Sequence, residues 1–452
     1  MNVVVEDARR TPVAAECDVC VVGGSCTGVF AAVRAAQLGA DVVIVENNGF
    51  FGGAATAGLV NVWHSDHDTV RERRIIAGLT RDVIERLRKR DAVFGGDPKA
   101  HPNFILNPAE LTIELDELIR EAGVRPFLHA KFVAPALEDG KLAAAILEDK
   151  TGRRAIRASI FVDATGDGDV IARMGLPFRI DDDLQPPTTC AILRGIKELS
   201  DRNPGFRLND AVFDTHFPQA LDHGFLWSAL VPGADDETMV AGTRVPDANC
   251  ADADELTAAE IEGRRQVRAM CDILRNYFEA GERVSLAQVP ATIGIRETRH
   301  AECLHLLTEN EVLTGARFPD AIANGSYPVD VHHSSKPGIT FRYLDGTERY
   351  VPPFGETVPG RWRDPVDEDP TFYQIPYRSL VPRGAENVLV AGRLIGADRG
   401  AYGAIRVMVN GNQTGEAAGV AAYLALDSGA PVADVNPDRL REVLGRRGAR
   451  IL

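Results

Sequence analysis

The sequence predicts an α/β protein, a three-layer, mostly parallel sheet interrupted by an inserted α+β module. Three observations carry this expectation. The stretch VVGGSCTGVFAAVRAAQLGADVVIVEN (21–47) runs from β-forming residues through a glycine cluster into an alanine-rich segment, then into a second apolar run ending on an acid. A strand-like run resumes at 387–391, followed by a long small-residue segment reaching Leu426. Between about 180 and 375 the patterns are mixed and prolines more frequent, so the two ends read as one domain and the middle as an insertion.

Taken in order, Val19–Val22 is expected as a buried strand, Gly28–Leu38 as a helix and Val42–Val45 as a second strand, a βαβ unit. Apolar spacing from Leu79 to Arg90 is helical. Asn107-Pro108-Ala109-Glu110 supplies an N-cap, a proline at the first helical position and a capping-box acid, with Gly123 as the stop. Strands are expected at 130–137, 142–148 and 155–163. The middle region holds one well-marked helix, capped by Thr257 and Glu260 and ended by Gly281. There is no internal repeat. The expected division is 15–62, 108–180 and 375–430 for a discontinuous nucleotide-binding domain, 63–107 and 181–374 for a substrate domain, and 431–452 for a C-terminal helix.

Composition narrows the function classes. At 452 residues the chain has room for two or three structural units. A formal charge of −15 disfavours a nucleic-acid surface, which needs clustered Lys and Arg. The N-terminal segment carries acids and lacks an apolar core of signal-peptide length, and no run approaches the roughly 20 apolar residues of a membrane span. A cytoplasmic location without membrane contact is therefore expected, with oligomerisation left open. Seven scattered cysteines do not describe a disulfide framework. Cys17 and Cys20 form a CxxC, but residues three apart on a strand face opposite ways, which argues against chelation.

The opening stretch has a physical reading of its own. In a Rossmann-like fold the first glycine makes the turn, the second lets backbone approach a pyrophosphate, and the third lets helix pack on strand. The helix N-terminus then attracts the phosphates. Gly23, Ser25 and Gly28 stand at those positions, with Gly24 as an additional glycine. Serine replaces the middle glycine, but it is small and its hydroxyl could itself reach a phosphate. Glu46 ends the second strand 23 residues after Gly23, where a carboxylate can accept from ribose hydroxyls.

Four further stretches carry a family resemblance: GFFGGAATAGLVNVWH (49–64), FVDATGDGDVIARMG (161–175), IGIRETRH with FPDAIANGSYPVDVHH (293–300 and 318–333), and NVLVAGR with AIRVMVNGNQTGEAAGVAA (387–422). In this order they resemble the bacterial FAD-dependent oxidoreductases with a glutathione-reductase-like FAD domain, a family whose members often have no assigned substrate. The resemblance implies noncovalent FAD as the cofactor. It implies that Gly52 and Gly53 continue the turn around the pyrophosphate with a hydroxyl contact from Thr56, and that Val133 and Ala164-Thr165-Gly166 pass close to the cofactor. It further implies that Gly392-Arg393 faces the ribityl chain and that the amides of Val407 and Met408 meet the pyrimidine edge of the flavin. Three acids at 163, 167 and 169 lack the spacing of a calcium loop and read as capping groups, and no metal is expected.

On the substrate side, His64, Arg296, Arg406 and His332 are the candidate catalytic residues. Arg406 could hold a flavin oxygen or a substrate carboxylate. A histidine near the flavin could take a hydroxyl or ammonium proton while hydride leaves the adjacent carbon. His332 is favoured over its neighbour His333, which should face the other way; His67 and Arg299 lie in the same stretches. No second nucleotide fingerprint appears in the middle region, no CxxxxC dithiol follows the second glycine turn, and the Gly-Asp pair of aromatic hydroxylases is replaced by Gly392-Arg393. The expectation is an oxidoreductase moving hydride from a C–H beside oxygen or nitrogen in a small polar or anionic substrate, with oxygen or a redox partner as external acceptor. A redox-neutral isomerase or lyase and a non-enzymatic flavin-loaded relay protein remain the alternatives.

Overall fold

A computed structural model describes residues 3–452. Its central sheet has seven strands. Arg125–Phe127, Val42–Val45, Val13–Val22 and Gly152–Asp163 lie side by side in parallel, and Val388–Val390 pairs in parallel with the end of Gly152–Asp163. These strands are near-continuous apolar runs because both faces of the sheet are covered; Val19–Val22 and Val42–Val45 are buried throughout. Gly152–Asp163 serves two partners along one edge. Its first half closes an antiparallel meander with Lys131–Glu138 and Lys141–Asp149, while Phe161–Asp163 pairs with Val388–Val390.

Register levels the carboxyl ends of the parallel strands. Val22 stands opposite both Val45 and Asp163, Val45 opposite Phe127, and Asp163 opposite Val390. This common edge is where open α/β sheets take their ligands. The expected βαβ unit is present, with the helix running Cys26–Gln37. Helix Pro108–Glu121 starts as expected: the Asn107 side chain accepts from the Ala109 and Glu110 amides, and Gly123 follows in the left-handed region at φ +72°.

The C-terminal segment refines the expectation. The long small-residue segment is two helices, Arg399–Ile405 and Met408–Ser428, separated at Val407, whose ψ of 146° is extended. The break creates a fresh helix N-terminus beside the strand edge. The closing helix Met408–Ser428 then packs on Cys26–Gln37 almost backbone to backbone. A Cβ at Gly411 would lie 2.9 Å from the Thr27 hydroxyl, and one at Gly415 or Gly419 would overlap the carbonyl of Thr27 or Ala31. Spacing of four keeps the three glycines on one helix face. Between the helices, buried Arg34 donates through Nε to Glu416 at 3.2 Å, and Glu416 also accepts the Leu79 amide at 2.9 Å.

The inserted region has its own layers. A four-stranded antiparallel sheet (Trp227–Leu230, Glu237–Ala241, Ala191–Arg194, Ser285–Gln288) packs against helix Ala253–Tyr277 through Leu193, Val240, Val267, Met270 and Leu274. That helix corrects an expectation. Its cap is Asp252, which accepts from the Asp254 and Glu255 amides, and not Thr257; the chain is already helical at Ala253, and the Thr257 hydroxyl bonds back to the Ala253 carbonyl. It ends at Tyr277, with Gly281 opening a separate 3₁₀ turn. A four-stranded ribbon spans Val329–Arg361. Residues 63–107, expected with the substrate domain, contribute Trp63, Ile75, Leu79, Leu87 and Phe104 to the larger core that also holds the parallel sheet. The terminal segment forms helix Pro437–Arg446. Among the described residues no helix is long and apolar enough to cross a membrane.

Gly415→Val forces two backbones apart and is expected to lower stability by about 3 kcal/mol or more. Gly445→Ala, in a helix with only Ile451 nearby at 3.9 Å, should be neutral or stabilising. Thermal midpoints of the two variants check this, and equal midpoints would contradict the close-packing argument.

Candidate functional site

At the carboxyl edge of the sheet, glycines allow three backbone segments to converge. Gly23 has φ +104°, and a Cβ there would strike the Ala164 carbonyl; a Cβ at Gly28 would strike the Gly23 carbonyl. The second glycine turn touches the first. The Gly52 amide donates to the Gly24 carbonyl at 2.9 Å, and a Cβ at Gly53 would sit 2.8 Å from that of Ser25. Ser25 is the N-cap of Cys26–Gln37 and makes no side-chain cap bond. The first-turn amides of this helix therefore face the turn without an intrahelical acceptor, the arrangement that binds phosphate.

Glu46 closes this cradle. Its Oε2 accepts the Gly24 amide at 2.6 Å and its Oε1 accepts both nitrogens of Asn48, at 2.7 and 2.8 Å. Burial pushes its carboxyl pKa up, opposed by those hydrogen bonds. Thr56 differs from its expected role. Its hydroxyl donates to the Phe51 carbonyl at 2.7 Å, so it fastens the second turn from within and does not point outward. Val133 sits in the ladder irregularity between Phe132 and Ala134, where its backbone is released from regular strand pairing.

The stretch 163–169 is a capping device, as its acid spacing suggested. Asp163 accepts from the Thr165 hydroxyl at 2.7 Å and from the Val170 and Ile171 amides at 3.0 and 3.2 Å; burial raises its pKa to about 6. Arg393 departs from expectation. Its guanidinium lies over Gly166, donates to Asp167 at 2.6 Å and reaches the Thr298 hydroxyl at 3.1 Å, tying the strand edge to the inserted region. Gly392 is held by the Thr414 hydroxyl at 3.0 Å. In the closing helix, the Asn410 amide bonds back to the Val407 carbonyl at 3.0 Å. The amides of Met408 and Val409 precede that first bond and point off the helix end.

Beside this end lies a buried polar cluster to which both modules contribute. Gly403 lets helix Arg399–Ile405 approach Asp330 on strand Val329–His332. Arg406 then reaches Asp330 Oδ2 at 3.1 Å, and the Tyr327 hydroxyl donates to the same carboxylate at 2.7 Å. Arg244 is 3% exposed and comes from the inserted sheet. Its Nε donates to His332 Nδ1 at 3.2 Å, and other guanidinium nitrogens donate to Thr188 Oγ1 at 2.8 Å and to the Thr243 carbonyl. Arg296 donates to the same Thr188 hydroxyl oxygen and to the Pro186 carbonyl. Tyr402 donates to the Arg296 carbonyl and accepts the Arg406 amide, which fixes the spacing of the two arginines.

These contacts correct the reading of His332 as a base. Its Nδ1 accepts from Arg244 and its Nε2 stands 3.3 Å from Asp330 Oδ1. Burial, then Arg296, Arg244 and Arg406, hold its pKa well below the usual histidine value. With its Nδ1 lone pair taken by Arg244, the neutral ring carries its proton on Nε2 and has no lone pair to offer. His333 faces away, to the Thr340 hydroxyl at 2.8 Å. His67 meets Asp66 at 2.7 Å, and Arg299 donates to the Asp167 and Ala251 carbonyls; neither joins the cluster. His64 does. Its ring lies 4.1 Å from that of Tyr327, its Nδ1 is buried without a partner, and burial followed by Arg406 lowers its pKa to about 3. Asp181, Glu297 and His300 also converge, but Glu297 is engaged by His300 at 2.8 Å and by the Gln185 amide at 2.8 Å, and Asp181 pairs with Arg179.

A model of the family described as "FAD dependent oxidoreductase" matches residues 18–444. The chain belongs to this family. Among solved structures it is similar to a geranylgeranyl bacteriochlorophyll reductase-like protein of Thermoplasma acidophilum, at 12% identity over 96% of this chain and 83% of that one, with a TM-score of 0.48. It is also similar to p-nitrophenol 4-monooxygenase PnpA of Pseudomonas putida DLL-E4, at 13% identity over 95% and 86%, with a TM-score of 0.46. No functionally curated protein matches.

This FAD-dependent oxidoreductase has a cradle that fits its cofactor. Side chains are excluded at Gly23, Gly24 and Gly28, a helix N-terminus is open, and a carboxylate lies at the end of the second strand. The sequence pointed to Arg296, Arg406, His64 and His332, and all four are drawn together in the cluster. Arg244, Thr188 and Tyr327 were missed. Tyr327 lay within a quoted motif, three residues before Asp330. Arg244 and Thr188 lie in no motif, and only the crossing of separate segments reveals them.

Glu46→Ala removes charged hydrogen bonds from the cradle. It is expected to weaken FAD binding about ten- to a hundredfold, read as the fraction of flavin lost on dialysis. Retention equal to that of the parent would remove Glu46 from the nucleotide site.

Proposed function

We propose that the protein oxidises a small polar molecule by transferring hydride from a C–H beside oxygen or nitrogen to FAD, with oxygen or a redox partner as the external acceptor. The observation that supports this reading best is His64, a neutral ring with an unpartnered buried nitrogen, beside the arginine that leads into the closing helix. FAD, when bound, supplies a two-electron acceptor. The residues supply the rest. The free amides at the start of Met408–Ser428, together with Arg406, favour negative charge at the helix end. His64 accepts the hydroxyl or ammonium proton as the C–H bond breaks, so an alcohol leaves as a neutral carbonyl compound and an ammonium as an iminium. Tyr327 packs on the imidazole and orients it, while Asp330 holds Tyr327 and Arg406 in place. The packed surroundings keep water from competing for the proton.

Anaerobic mixing of the FAD-loaded protein with a panel of alcohols, amines and hydroxy acids should give bleaching that persists until an acceptor is added. Product formation without lasting bleaching would instead support a redox-neutral reaction. His64→Asn should slow flavin reduction by about a hundredfold while leaving FAD bound.

The pH profile gives a second check. With its pKa lowered to about 3, His64 is in its base form throughout pH 5–8 and protonates only well below that window. The reductive kcat/KM should therefore show no acidic limb between pH 5 and 8. A limb there would identify a different, titrating base.

A further inference from the structure

The polar cluster has more positive charge than it can neutralise. Arg244, Arg296 and Arg406 lie within electrostatic reach of one another: burial and then its two neighbours lower Arg296 well below the usual arginine value, while for Arg406 burial is outweighed by Asp330 and the groups around it, which raise it. Two carboxylates face them, Asp330 and Glu297, and the latter is already engaged by His300 and Gln185. His64 and His332 are neutral, and burial raises the Cys190 thiol to about 11, so neither ring nor thiol adds negative charge. Three cations against two anions leave an excess of one positive charge.

The way these cations are held makes the excess informative. Arg244 and Arg296 donate to one and the same neutral oxygen, the Thr188 hydroxyl, which itself donates to the Thr243 carbonyl at 2.9 Å. Tethering two like charges to a shared uncharged acceptor is unfavourable unless a counter-anion completes the group. Donors remain for one. Only Nη1 of Arg296 and Nη2 of Arg406 make hydrogen bonds among the described residues, and Arg406 Nε is buried without a partner. Tyr402 ties the backbones that carry these two side chains, donating to the Arg296 carbonyl while its own carbonyl accepts the Arg406 amide.

Resting on the hydride-transfer reading above, we propose that Arg296 and Arg406 form a clamp for a carboxylate, and that the substrate is a small monocarboxylate anion. A planar guanidinium presents paired donors that match a carboxylate. One negative charge balances the cluster, whereas a phosphate monoester would over-neutralise it. Arg244 also lines a surface cleft of about 580 Å³ with His223, Arg265 and Glu262. Its charge therefore acts on both the cleft and the cluster, and favours an anion at either.

The test uses the FAD-loaded, oxidised protein and two matched series: acetate, propionate and benzoate against acetamide, propionamide and benzamide. Readouts are the shift of the flavin visible band and the thermal midpoint. The acids should perturb both saturably and the amides should not. Arg296→Gln should weaken acid binding about ten- to a hundredfold, with Arg296→Lys in between. Acids and amides acting alike, or Arg296→Gln binding acids as the parent does, would overturn the clamp. Tighter binding of inorganic phosphate or sulfate than of any acid would overturn the carboxylate assignment. If Arg296→Gln fails to fold, the acid–amide comparison on the parent decides. The two readings fail separately. Neutral alcohols or amines that bleach the flavin while acids neither bind nor bleach it would sink the clamp and leave hydride transfer standing. Acids that bind while nothing in the panel bleaches would do the reverse.

Discussion

Two helices from opposite ends of the chain lie in contact along their backbones, and the nucleotide cradle depends on that contact. Gly411, Gly415 and Gly419 remove every Cβ that would hold Met408–Ser428 away from Cys26–Gln37. The closeness has two results. It covers one face of the parallel sheet with a helix whose other contacts reach the strand ends, and it sets two helix N-termini at the same edge. One of these faces the glycine turns; the other begins beside Arg406. A cofactor with a phosphate portion and an electron-accepting ring needs both. The buried pair Arg34–Glu416 lies across the same interface, and Glu416 also caps Leu79, so a third segment is fixed to the first two. Breaking such a pair by removing one partner leaves a buried charge and is more costly than the pair is stabilising.

The substrate side follows a different physical logic. The cradle is built from backbone and glycine and carries little net charge. The cluster around Asp330 is built from side chains and concentrates cations in a buried space. Its members come from separate segments: His64 follows the second glycine turn, Arg244 and Thr188 belong to the inserted region, and Arg406 ends the short helix before the closing one. Burial first, and then these like charges, keep His64 and His332 unprotonated, which separates the two rings by hydrogen bonding and not by charge. His332 is held by Arg244 through Nδ1, while His64 keeps a free nitrogen.

Much of the nucleotide domain was legible because its signals are local. Glycines at fixed spacing, an apolar strand on either side and an acid at the end of the second strand are all contained in residues 19–46, and the structure reproduces them with shifts of one or two residues. The Asn107 cap was legible for the same reason. The helix at 253–277 was mis-started because Thr257 resembles a cap, although Asp252 with Glu255 three residues on is the stronger pair. Among site residues, Thr56 is turned inward by a near neighbour, the Phe51 carbonyl, and Arg393 by Asp167 and Thr298 far back along the chain. Arg244 had no local signature at all, because its role exists only after the inserted sheet has folded against His332.

The placement of Val388–Val390 has a consequence for how the molecule is made. This strand completes an edge that Phe161–Asp163 leaves open, and the helix that seals the sheet ends only at Ser428. During synthesis the N-terminal strands emerge with an uncovered apolar face and must wait for about two hundred and fifty residues beyond Asp163, the inserted region among them, before their lid arrives. The insertion, with a core of its own, is able to settle first. Nascent chains halted before the last strand would expose a bare sheet to chaperones and could not retain a dinucleotide, so cofactor loading belongs to the finished polypeptide.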